Sequence, residues 1–181
     1  MAFEMQDHSQ PIPLRVSKRT ISDFAERVAN QLGFRVGDTI EPFVVRLGGK
    51  IVYKTPAHLE RLPESIIVRS ESDFTIFLPS MTSPQRDRFT IAHELAHLIL
   101  HYPLAKEQYP NLPMVATRWV DEKNQDLVRT EWEANWFAAA FLMPEMRFRE
   151  LHKQVGLAAA STIFKVSQNA AKIRASSLGL N

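Results

Sequence analysis

The sequence contains no cysteine. Disulfides, thiolate metal sites and a cysteine nucleophile are therefore excluded, and any transition-metal site must be built from histidine and carboxylate. Neither sign of charge is in large excess: 22 Lys and Arg stand against 20 Asp and Glu, a net +2. A nucleic-acid footprint needs basic residues gathered on one face, and this balance displays none. No apolar run approaches membrane-spanning length, so no membrane association is expected. Residues 1–13 carry neither the basic start nor the apolar stretch of a secretory signal. There is no internal repeat and no low-complexity segment. Together these absences point to a soluble protein, with the cytoplasm as its expected location. What is present suits one globular domain: 181 residues, 45% hydrophobic and 23% charged, enough to bury a core.

Residues 1–13 read as a flexible N-terminal tail ahead of a single domain over 14–181. A helix is predicted over 17–34, capped by Ser17, with Ile21, Phe24, Ala25, Val28 and Leu32 at helical spacing and Gly33 near its end. A second helix fits 38–47, closed by Gly48 and Gly49. The period then changes. Residues 50–54, 65–69 and 73–78 are short, β-branched and aromatic, and predict a small antiparallel sheet. Ser83 and Pro84 make a good helix start, and the helix that follows is predicted over 84–101, stopped by Pro103. Residues 102–124 hold Pro103, Pro110 and Pro113 and read as a lid or partner-contact segment. An apolar helix is predicted over 125–143, then a helical subdomain over 145–181. The fold class is α+β: a small twisted sheet packed on the 84–101 helix, with N-terminal helices and a helical C-terminal half.

The 84–101 helix carries His93-Glu94-x-x-His97. Residues four apart sit one turn above each other, so both imidazoles can be aimed at one point. Neutral imidazole suits zinc. Glu94 is rotated by about 100° from His93, beside the metal, where it can take a proton from a bound water. His101 shares the face but lies about 12 Å along the axis from His93, too far to converge on one tetrahedral ion. It is expected instead at the helix C-terminus, where positive charge is favourable. A third ligand is sought downstream. Glu131 and Asn135 share a face with Leu127, Ala138 and Leu142. A carboxylate on so apolar a face needs a reason, and metal ligation supplies one. The plainer account pairs Glu131 with Arg88 or Arg129. Asn135 either orients a metal-bound histidine through the other ring nitrogen or serves as a capping amide. Glu133 points to another face and is expected to be solvated. His101, Tyr102 and Tyr109 are alternatives for a group that stabilises the oxyanion of the transition state.

The two segments, Arg88-Phe-Thr-x-Ala-His-Glu-x-x-His97 and Glu131-x-x-Ala-Asn-x-Phe-Ala-Ala-x-x-Leu-Met-Pro144 in pattern, strongly resemble the ImmA/IrrE metallo-endopeptidase family. The resemblance implies a Zn(2+) cofactor held by His93, His97 and Glu131, with Glu94 as general base. It also implies a partner: an Xre-type helix-turn-helix repressor or antitoxin, cleaved to relieve transcriptional repression. The alternative it carries is a component of a toxin–antitoxin pair that docks a regulator without hydrolysing it. Family members are also found fused to a helix-turn-helix or sensory domain, and at 181 residues this chain reads as the catalytic module alone.

Two further features invite readings. The strand at 73–78, as a sheet edge, would pair with an extended substrate. Residues 157–174 faintly resemble a helix-turn-helix with its turn at 164–167, with Gln168, Asn169, Lys172 and Arg174 toward phosphates. The basic residues are few, so a packed helical subdomain without nucleic-acid binding is the preferred reading.

Overall fold

The computed structural model describes residues 7–55, 57–58 and 63–180. The fold is α+β, and among the described residues no helix is long and apolar enough to cross a membrane.

Helix α1 spans Lys18–Leu32. Ser17 caps it by accepting from the Thr20 N–H, and Gly33, at φ 69°, ends it in the left-handed conformation that glycine adopts freely. Ile21, Ala25, Val28 and Ala29 form its buried stripe. Helix α2, Glu41–Arg46, is shorter than predicted. Strand β1, Gly49–Lys54, begins immediately after Gly48. A Cβ at Gly48 would stand 2.1 Å from the Ser72 carbonyl oxygen, and one at Gly49 would stand 2.3 Å from the Phe74 ring. The glycine pair thus lets β1 press against the hairpin formed by β2, Glu64–Ser70, and β3, Asp73–Pro79.

The sheet order is β1-β3-β2-β4, where β4 is Met114–Thr117. Strands β2 and β4 run antiparallel, as do β2 and β3, but β1 pairs parallel with β3. The predicted all-antiparallel sheet is therefore corrected to a mixed one. The tight β2–β3 hairpin folds β3 into the gap between β1 and β2, and β3 is consequently buried on both faces at Phe74, Thr75, Ile76 and Leu78. Its near-continuous apolar run is what a central strand requires. Being central, β3 has no free edge for a substrate. The sheet edges are β1 and β4, and Ser9 already bridges the start of β4 at Met114.

Helix α3, Pro84–Ala96, starts as predicted, with Ser83 accepting from the Arg86 N–H and Pro84 in the first turn. Beyond it the chain does not stop. It widens into a π-helical turn at His97–His101 and runs on as α4, Tyr102–Gln108. Pro103 falls just past the π turn, in the first turn of α4, and is accommodated inside a continuing helix instead of ending it. The predicted lid over 102–124 therefore contains a helix and an edge strand.

Helix α5, Gln125–Leu142, is capped by Asn124 and packs on both α1 and α3. Helix α6, Glu145–Phe164, breaks at Gly156, where φ is 79°. Helix α7 spans Gln168–Ser177. Its Arg174 is buried, donates to the Met143 carbonyl and faces Glu26, so it is turned inward from any phosphate. The phenylalanines at 74, 137, 141, 148 and 164 are fully buried and fill the core between these elements.

The N-terminal segment differs from the predicted loose tail. Residues 1–6 lie outside the described residues, but Ser9 bridges β4 at Met114, and Pro11 and Pro13 are buried.

Candidate metal centre

Helix α3 delivers His93 at its last turn and His97 at the start of the π turn. Helix α5, packed across it, delivers Glu131. The His93 and His97 Nε2 atoms stand 3.2 Å apart. Glu131 Oε2 lies 3.2 Å from His93 Nε2, and Glu131 Oε1 lies 3.2 Å from His97 Nε2. These three residues form the group that can hold a metal ion. Bonds of roughly 2.0–2.1 Å to a tetrahedral ion place neighbouring ligand atoms roughly 3.3–3.4 Å apart. The observed triangle has that size, and two nitrogens with a carboxylate are a borderline-soft donor set that suits zinc. Glu131 meets neither Arg88 nor Arg129. Arg88 donates to the Asp38 carbonyl, and Arg129 pairs with Glu133. Burial opposes ionisation of Glu131, but its contacts with His93 and His97 hold the carboxyl well below the usual carboxylate range.

Asn135, one turn beyond Glu131, places Oδ1 3.1 Å from His93 Nδ1. The neutral ring then carries its hydrogen on Nδ1 and turns the Nε2 lone pair toward the triangle. Glu94 is buried beside it, and Ser65 on β2 donates to Glu94 Oε2 at 3.0 Å. Burial is the main reason its carboxyl is pushed up to about 7; His93 and the Ser65 hydrogen bond pull in the opposite direction. A carboxyl balanced near neutrality is suited to taking and giving a proton.

These groups open onto a cleft of about 430 Å³. Its walls include Ser65, Arg86, Phe89, Thr90, Arg118 and Trp119. Arg118, immediately after β4, donates to the Phe77 carbonyl and feels the charge of Glu94. Its Nε has no hydrogen-bond partner among the described residues. Nothing in the sequence around Arg118 marks it, because it is brought here by the pairing of β4 with β2.

The residues expected as oxyanion stabilisers do not line this cleft. Tyr102 is buried and donates to the Arg69 carbonyl. Tyr109 lies at the end of α4 beside Gln108. His101 is fully buried behind His97, with Nδ1 3.0 Å from His97 Nδ1. It sits inside a continuing helix and not at the expected helix C-terminus, and burial pushes its imidazole below the ordinary value.

Glu133 is corrected most sharply. It is fully buried, and its oxygens meet His101 Nε2, Arg129 Nε and the backbone N–H groups of Leu14 and Arg15. Burial alone would raise its pKa; the hydrogen bonds from His101, Arg129, Leu14 and Arg15 outweigh that and hold it at about 2. The solvated face that the helical pattern assigns to it is covered by the N-terminal segment.

A small mixed sheet, a His-Glu-x-x-His helix and a crossing helix that supplies a glutamate define a metallopeptidase-like α+β domain. The chain belongs to the M78 peptidase family: residues 68–176 match its model, described as an IrrE N-terminal-like domain. None of the curated proteins compared matches the chain. Among solved structures, it is similar to a Mycobacterium tuberculosis transcriptional regulator, with a TM-score of 0.55 and 20% sequence identity. The match covers 87% of this chain and 47% of that one, so the chain spans about half the regulator's length. At that identity the likeness speaks for the fold.

Proposed function

We propose that this chain is a zinc-dependent endopeptidase that hydrolyses a peptide bond in a regulatory protein. The proposed substrate is a helix-turn-helix repressor or antitoxin of Xre type, whose cleavage relieves transcriptional repression. The observation that carries the reading is the triangle of His93, His97 and Glu131 with the buried, near-neutral Glu94 beside it. Membership of a peptidase family supports the reaction class. The regulatory substrate and its cytoplasmic setting rest on the resemblance of the Arg88–His97 and Glu131–Pro144 segments to the ImmA/IrrE family.

In this reading His93, His97 and Glu131 hold zinc, with Asn135 orienting His93. When bound, zinc supplies a Lewis acid that lowers the pKa of a water and polarises the scissile carbonyl. Glu94 would take the proton from the attacking water as the water oxygen bonds to the carbonyl carbon. It then delivers the proton to the amide nitrogen as the carbon–nitrogen bond breaks. Ser65 fixes the Glu94 carboxylate for both transfers. Arg118, on the cleft wall, replaces His101, Tyr102 and Tyr109 as the donor for the developing negative oxygen. An extended substrate pairs with the Thr117 end of β4, past the Ser9 bridge, where the chain enters the cleft with Arg118 and Trp119.

Co-expression with a helix-turn-helix regulator of Xre type tests the reading. Wild type is expected to cut the regulator and Glu94→Gln to leave it intact. Equal loss of repression with Glu94→Gln would instead support regulator docking, the toxin–antitoxin alternative.

A further inference from the structure

We infer that Glu133 and His101 are positioning residues for His97, and that the backbone of Leu14 and Arg15 completes the device. A hydrogen-bonded relay then runs from the N-terminal segment to a metal ligand. The inference rests on the metal-site reading above and extends it to residues outside the cleft.

With both imidazoles neutral, the hydrogen assignments follow from the donors and acceptors. Glu133 Oε2 lies 2.8 Å from the Leu14 N–H nitrogen and 3.2 Å from His101 Nε2. Glu133 Oε1 lies 2.8 Å from the Arg15 nitrogen and 2.9 Å from Arg129 Nε. A carboxylate has about four lone-pair sites, and here each oxygen meets two nitrogens. The two backbone amides and the guanidinium can only donate. Glu133 is therefore an acceptor throughout, and His101 Nε2 must carry a hydrogen. In a neutral ring His101 Nδ1 is then an acceptor. Its neighbour at 3.0 Å is His97 Nδ1, which must in turn be the donor. With its hydrogen on Nδ1, His97 presents the Nε2 lone pair to His93, Glu131 and the metal position. Reversing any link would put a hydrogen on His97 Nε2 and block ligation.

The backbone is shaped for this arrangement. Arg15 is one of two non-glycine residues among the described ones with positive φ, at 58°. That conformation turns successive N–H groups into a concavity that holds an anion, and here the anion is Glu133. A strained residue persists where its surroundings fix it. Leu14 and Arg15 lie 119 and 118 positions from Glu133, so the contact closes the N-terminal segment onto the metal helices.

The test uses the full chain labelled with ¹⁵N-histidine, in the metal-free form, with long-range ¹H–¹⁵N spectra of the ring nitrogens. Wild type is expected to show His97 with hydrogen on Nδ1 and a bare Nε2. Glu133→Gln offers an NH₂ to His101 Nε2, reverses the relay, and is expected to move the His97 hydrogen to Nε2. Cobalt(II) affinity, read from the visible spectrum, is expected to fall about 10- to 100-fold. A backbone pair keeps the test open should Glu133→Gln not fold. Arg15→Gly retains the N–H and the positive φ and is expected to bind cobalt within about twofold of wild type, whereas Arg15→Pro removes both and is expected to lose about 10-fold or more. A wild-type His97 with hydrogen on Nε2 would overturn the inference. So would a Glu133→Gln protein with unchanged tautomer and affinity, or equal cobalt affinities for Arg15→Gly and Arg15→Pro. Absence of cobalt binding by wild type would count against the metal-site reading itself, while the tautomer spectrum would still judge the relay.

Discussion

Ser65 donates to Glu94 at 3.0 Å, a contact between β2 and α3 that spans 29 positions of sequence. It joins the sheet to the proposed general base, and it opposes the upward push that burial exerts on the Glu94 carboxyl. Glu94→Gln is expected to reduce hydrolysis by about 10³-fold while leaving the metal in place. Ser65→Ala removes a hydrogen bond to the charged form, so the Glu94 pKa rises further. A base works unprotonated, and the acid limb of the pH–rate profile is expected to move to higher pH. An acid limb that stays in place in Ser65→Ala would contradict the role given to this contact.

Arg118 reaches the cleft through β4 and has a guanidinium Nε without a partner among the described residues. As the oxyanion donor it acts mainly in the transition state. Arg118→Ala is expected to lower kcat by about 10²-fold, with a much smaller change in KM. A change confined to KM would make Arg118 a substrate-binding group only.

Glu133 contributes to acid stability. Its ordinary pKa is 4.5, and in the folded chain hydrogen bonds overcome burial to hold it at about 2. A depressed carboxyl stabilises the fold fully above its unfolded pKa, and that stabilisation is lost as pH falls toward the folded value. In metal-free protein, the advantage of wild type over Glu133→Gln in urea midpoint is expected to hold at neutral pH and shrink from about pH 4.5 downward. A constant difference across that range would show that Glu133 is not ionised in the fold.

Gly49 lies where a Cβ would meet the Phe74 ring at 2.3 Å and Val44 Cγ1 at 2.8 Å. Gly49→Ala is expected to destabilise the chain by about 1–3 kcal/mol through overpacking, measured by denaturant unfolding. Metal affinity is expected to be unaffected, because β1 is at the far edge of the sheet from β4.

Much of this architecture is legible in the chain. Ser17 with Gly33, and Ser83 with Pro84, are local signals, and local hydrogen bonds enforce them. The four-residue spacing of His93 and His97 and the polar residue on an apolar face at Glu131 likewise point to the group that the structure brings together. The rest depends on distant partners. Nothing in β1 or β3 says that β3 slots between β1 and β2, because pairing partners are chosen by the whole sheet. Helical spacing turns Glu133 away from Glu131 and suggests solvent, but Leu14 and Arg15 arrive from more than a hundred positions away to cover it. The π turn at His97–His101 is also invisible to a 3.6-residue period. It continues a helix that the sequence pattern ends at Pro103, and it keeps His101 directly behind His97.

The account depends most directly on a metal held by His93, His97 and Glu131. Metal content, measured by elemental analysis after zinc loading and removal of free ion, decides it by comparing wild type with Glu131→Ala. Wild type is expected to retain about one zinc per chain, and Glu131→Ala, with its fold verified by circular dichroism, to retain little or none. A wild type that retains no zinc, or a Glu131→Ala variant that retains as much as wild type, would contradict it.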